Sequence, residues 1–125
     1  MGQASPFKPI ALVVENDEFE REMVAMLLEE SEMGVIQCAS ADAALRVLEK
    51  LGSSLSMMFT DVNLTGCLDG VELAHFARTH YPNIHLIVAS EGAVGKALPK
   101  GAKFMSKPWI TLDVLREAER SMVET

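Results

Sequence analysis

A chain of 125 residues with 49% hydrophobic and 23% charged side chains is long enough for one domain with a real core. Its composition is neither disordered nor fibrous. A formal net charge of -7 argues against direct nucleic-acid binding, which needs a basic face, and suits a protein that attracts cations or basic partner surfaces.

After a short polar leader, Ile10-Ala11-Leu12-Val13-Val14 is a continuous apolar run, as expected of a strand covered on both faces. Residues 17–30 have helical periodicity, with Phe19, Met23, Met26 and Leu27 on one face. Asp17 is placed to cap this helix, and Glu18 and Glu20 suit the positive end of its dipole. Residues 35–38 make a short second strand. Ser40 then caps a helix through Lys50, with Ala44, Leu45, Val47, Leu48 and Leu51 as its apolar face. The third strand spans residues 55–60. Asp69-Gly70 closes a polar loop, and a third helix over residues 71–81 is stopped by Pro82. A fourth strand covers residues 84–89 and a fifth residues 102–106, and Thr111 caps a last helix ending near Val123.

Strands alternating with helices on short connections predict an α/β fold: a flavodoxin-like, doubly wound, five-stranded parallel sheet in the order 2-1-3-4-5. The expected single domain spans residues 1–125, with its core at about 9–123. Between strands four and five, residues 91–101 hold three glycines and a proline, so the fourth helix is expected to be short or absent. Ligands of such sheets sit outside the carboxyl ends of the strands. Glu15, Asn16, Asp17, Asp61, Ser90 and Lys107 all fall at that edge.

An acidic, glycine-free first loop repels bare phosphate and attracts a hard cation; Mg2+ takes one or two carboxylates and leaves its other positions to water and phosphate oxygens. Beside such a cation Asp61 is a nucleophile able to accept a phosphoryl group, and Lys107 neutralises charge on the incoming phosphate. Ser90 offers a hydroxyl to that group. It reads equally as a strand-end cap.

The acidic cluster after strand one, Phe59-Thr60-Asp61 after strand three, Ala89-Ser90 after strand four and Lys107-Pro108 after strand five together resemble a response-regulator receiver domain of two-component signalling. The resemblance spans residues 9–123. It implies a phosphoprotein with Asp61 as phosphoacceptor, Glu15 and Asn16 at the acidic-pair positions, and the backbone carbonyl of Asn63 completing a magnesium site. It places Ser90 at the switch hydroxyl, Phe104 at the aromatic switch and Lys107 at the invariant lysine. A cis peptide before Pro108 and a helix start at Asp69-Gly70 are implied too. The chain departs from the family pattern at Asn16, where an acid is common and whose amide should weaken Mg2+ binding, and in the short segment between Ser90 and Lys107.

The resemblance implies a histidine kinase or histidine phosphotransfer protein as phosphodonor, with no enzyme activity beyond the domain's own phosphorylation and dephosphorylation. With no effector domain following, output is expected through contacts with a downstream protein. A degenerate receiver acting as a phosphorylation-independent binding module is the alternative, motivated by Asn16 and the short segment. A dehalogenase-type phosphatase is disfavoured because Asn63 stands where its general acid would be. Phe104 also reads as a core or half-buried aromatic. Trp109 reads either as a contact residue or as the staple before the last helix. Four of the six lysines, Lys96, Lys100, Lys103 and Lys107, crowd the end of the chain, as a docking surface or a solvated loop. Met1-Gly2-Gln3-Ala4-Ser5-Pro6 has no signal-peptide pattern, and no apolar stretch reaches membrane-spanning length, so a cytoplasmic location is expected.

Overall fold

The computed structural model describes residues 8–123; the leader sequence lies outside them. Five strands, β1 (Ile10–Val14), β2 (Gly34–Cys38), β3 (Leu55–Asp61), β4 (His85–Ser90) and β5 (Lys103–Ser106), form one sheet in the order β2-β1-β3-β4-β5. Every pairing is parallel. Four helices, α1 (Glu18–Glu30), α2 (Ala41–Leu51), α3 (Gly70–His80) and α4 (Thr111–Val123), cover both faces.

Alternation along the strands builds two cores. Leu12, Val14, Met58, Leu86 and Val88 face one side, where Ala44 and Leu48 of α2 and Leu73, Ala74 and Ala77 of α3 cover them. Ala11, Val13, Met57, Phe59, Ile87 and Met105 face the other, under Val24, Leu27 and Leu28 of α1 and Val114 and Ala118 of α4. Covering both faces removes any need for polar alternation, which is why the strands read as apolar runs.

The helix starts are set by local chemistry. Asp17 accepts from Glu20 N and Ser40 from Ala43 N. At α3, Asp69 accepts from Glu72 N while the Glu72 carboxylate accepts from Asp69 N, a reciprocal capping box. Thr111 is the first residue of α4 and not its cap. Ile110 precedes it, and the Ile110 carbonyl accepts from Asp113 N and Val114 N. Trp109 is half-buried in the same core as Val114, which is the staple arrangement.

The buried side of α1 is turned from the expected one, of whose four residues Leu27 is buried. Val24, Ala25, Leu27 and Leu28 are buried, whereas Phe19 is 71% and Met26 50% exposed. At 100° per residue the helix carries two apolar arcs, and the sheet takes the Val24/Leu28 arc.

No helix forms between β4 and β5 among the described residues. The segment instead lies on α3, held by side chains at helical spacing. Lys96 pairs with Asp69 at 2.6 Å and Glu72 at 3.6 Å. His75 Nε2 donates to Ala97 O at 2.8 Å, and Arg78 Nε donates to Lys100 O at 2.9 Å. Val94 and Leu98 of the segment pack on the α2/α3 core, and Leu86 and Val88 stay fully buried under α3 and this segment with no further helix.

Candidate functional site

The carboxyl ends of β1, β3 and β5 meet at one edge, and a lysine ties them together. Lys107 follows β5, where its N–H donates to Ser90 O at 2.8 Å and its peptide to Pro108 is cis. Its ammonium lies 2.8 Å from Glu15 Oε1, 2.8 Å from Asp61 Oδ1 and 2.7 Å from Glu20 Oε1.

Burial alone would lower the Lys107 pKa. The hydrogen bonds it donates to Asp61, Glu15 and Glu20 outweigh it, and the net shift is upward from 10.5. The ammonium is therefore a fixed cation.

Each buried acid is held at both oxygens. Glu15, at the exit of β1, accepts Lys107 on one oxygen and the Asp17 N–H on the other, at 3.0 Å. Asp61, the last residue of β3, accepts Lys107 on Oδ1 and the Asn63 N–H on Oδ2, at 3.1 Å. Only 3% of Glu15 and 5% of Asp61 is exposed. With Glu20, three acidic side chains share one ammonium, a formal excess of two negative charges in a partly dry edge.

The remaining predicted residues stand at various distances from this centre. Ser90 is buried at the end of β4, and its hydroxyl accepts from Gly92 N at 3.3 Å. Asn16 and Asn63 are exposed in the loops after β1 and β3. Phe104 pairs with Val88 in the sheet but is 47% exposed, so it is not a core aromatic; β5 is the edge strand and no helix covers its outer side. The four clustered lysines divide between roles: Lys107 is in the site, Lys96 is bound to α3, and Lys100 and Lys103 are exposed.

Glu20 escaped the sequence reading as a site residue, since an acid in a helix's first turn is accounted for by the dipole. The available signal was its place one turn after the Asp17 cap, where α1 starts beside the β1 exit. Gly70 was legible as the end of a loop and, by resemblance, as a helix start, but its close approach to the site was not. A Cβ there would lie 1.9 Å from Asp61 O and 2.8 Å from Val62 Cα, so α3 begins in backbone contact with the Asp61 loop.

Doubly wound parallel sheets with acids at the switch between strands form a class that works at this edge. Residues 11–119 match the response regulator receiver domain. The chain belongs to that family, whose members serve two-component signalling and interact with histidine kinases or phosphotransfer proteins.

Solved structures share the fold. A response regulator receiver protein from Sinorhizobium medicae WSM419 is 18% identical, with 95% of this chain and 98% of that one covered at a TM-score of 0.84. The signal receiver domain of an HD domain-containing protein from Pseudomonas fluorescens Pf-5 is 20% identical, covering 94% and 96% at 0.82. A CheY-like receiver domain protein from Methanospirillum hungatei JF-1 is 21% identical, covering 95% and 100% at 0.81. A comparison with curated proteins gives no match. No helix among the described residues is long and apolar enough to cross a membrane.

Proposed function

We propose that the chain is a phosphoacceptor receiver that takes a phosphoryl group from a histidine kinase or phosphotransfer protein onto Asp61 and signals through protein contacts in the cytoplasm. The observation that carries this reading is the Asp61–Lys107 contact at 2.8 Å, held at a sheet edge in company with Glu15. An Asp61 oxygen attacks phosphorus, the bond from phosphorus to the donor imidazole nitrogen breaks, and the electron pair leaves with that nitrogen. Lys107 moves one or more N–H groups onto the phosphoryl oxygens and offsets their charge. Ser90 sits one strand away, where a hydroxyl can follow the phosphoryl group, and Phe104 on the neighbouring strand is free to change its exposure with it.

The donor set fits Mg2+. Glu15 and Asp61 supply carboxylates, Asn16 an amide oxygen and Asn63 a carbonyl, all hard oxygen ligands in a region of excess negative charge. Among the described residues no cluster of three or more His, Cys, Asp or Glu side chains is arranged to hold a metal ion. The remaining positions would therefore be filled by water and the phosphoryl group, as this cation prefers. Held by these residues, the ion would draw charge off the phosphoryl oxygens.

The test is incubation with a small phosphodonor and Mg2+. An acid-stable, base-labile adduct of one phosphoryl group should form and be abolished in Asp61→Asn. Absence of any adduct with any divalent ion, together with indifference of Trp109 fluorescence to millimolar Mg2+, would leave the phosphorylation-independent binding module in its place.

A further inference from the structure

An ammonium carries three N–H donors, and those of Lys107 are taken up by three acceptors: Glu15 Oε1, Asp61 Oδ1 and Glu20 Oε1. A phosphoryl oxygen can reach Lys107 only by displacing one of them. Glu15 is buried and fixed at its second oxygen by Asp17 N–H. Asp61 is buried, fixed by Asn63 N–H, and is itself the atom pair that would carry the phosphoryl group.

Glu20 differs from both. Its side chain is 36% exposed, reaches in from α1, and among the described residues is held there by Lys107 alone. It also borders an open cleft lined by Met23, Glu91, Pro108 and Trp109, into which it can turn and be hydrated. Leaving costs Glu20 little, because water replaces the lost partner. Leaving would cost either buried acid far more.

We propose that Glu20 is an internal competitor for Lys107: a carboxylate that occupies the phosphoryl group's place on the lysine in the resting chain and is expelled when Asp61 is modified. The inference rests on the phosphoacceptor reading and adds a residue to it. Glu20 is a positioning residue, since it acts through Lys107 and touches no substrate. Its presence makes phosphoryl capture an exchange of one anion for another, which lowers the site's hold on the phosphoryl group. It also couples the site to α1, because the side chain that moves belongs to that helix.

Beryllofluoride with Mg2+ is the probe, titrated into the whole chain by Trp109 fluorescence and calorimetry. Glu20→Gln keeps the shape and removes the charge-assisted contact; it should bind the probe about tenfold more tightly than the native chain. Glu18→Gln removes the same charge at the first residue of α1, next to the cap, without touching Lys107, and should change affinity by less than about twofold. Glu20→Ala should follow Glu20→Gln, and the phosphoryl adduct should live longer in both.

Native-like or weaker binding by Glu20→Gln, beside a native chain that binds, overturns the competitor and leaves the phosphoacceptor reading intact. An equal gain in Glu18→Gln also overturns it, because the effect is then bulk charge. Failure of the native chain and every variant to bind overturns both.

Discussion

Lys107→Met is expected to lower the unfolding free energy by about 3 kcal/mol, read from the urea midpoint at constant slope. The change removes one ammonium and leaves Glu15 and Asp61 buried without a cation, and an uncompensated buried charge is among the costliest single defects. The estimate sits at the low end for a broken buried pair because solvent reaches Glu20.

Two comparisons separate this from loss of packing. Asp61→Asn reduces the local excess of negative charge while keeping the volume, and should leave the midpoint unchanged or higher. Alkaline unfolding supplies the other. The folded Lys107 pKa is raised above its ordinary 10.5, so its contribution is complete below that pH and disappears as pH climbs through the folded value. The native chain should lose this increment in strong alkali, and Lys107→Met should have none to lose. Equal stability of Lys107→Met and the native chain at pH 7 would mean that the carboxylates are hydrated and the edge is not dry.

Gly70→Ala should be at least as damaging, by about 3 kcal/mol, at the upper end of what overpacking costs. The added methyl would meet backbone, not a side chain that can swing away: Asp61 O at 1.9 Å, Asp61 C at 2.7 Å and Val62 Cα at 2.8 Å. Gly70 is pinned in that position, because its N–H donates to Val62 O at 2.8 Å and Asp69 before it caps α3. Relief requires α3 to retreat from the β3 exit, which displaces Asp61 from Lys107. Beryllofluoride binding should therefore fall together with stability. Gly92→Ala makes the control, since a Cβ there meets nothing within 4 Å; its midpoint should move by less than about 0.5 kcal/mol. A Gly70→Ala chain of native stability would show that the α3 start is looser than the structure has it.

The sheet was legible because a strand covered on both faces has only one way to read, as in Ile10 to Val14. The missing helix was legible for the opposite reason, since residues 92–101 contain too many glycines and a proline to nucleate one. Helix α1 shows where pattern reading fails. Its sequence offers apolar residues on two arcs, and only packing on the sheet selects Val24 and Leu28 over Phe19 and Met26.

The candidate site divides in the same way. Glu15, Asp61 and Lys107 each end a strand, so topology alone brings them to one edge. Glu20 lies inside a helix, and its meeting with Lys107 depends on how α1 sits over that edge. Phe104 was legible as an aromatic on β5, but its exposure follows from the edge position of that strand, beside a segment that forms no helix among the described residues.

The strapped segment between β4 and β5 has a consequence of its own. Residues 91–101 contain no run of helical hydrogen bonds, and the Asp69 cap with three side chains of α3, Glu72, His75 and Arg78, holds the carbonyls and the ammonium of this stretch in place. Opening it breaks those few exposed contacts and uncovers Val94, Leu98 and Pro99, while β4 and β5 stay paired through their own ladder. The stretch is thus a foldon of low free energy beside a sheet of high free energy. Its first residue follows Ser90 and its last precedes the strand that delivers Lys107, so it is a hinge region that can unfasten without the sheet coming apart.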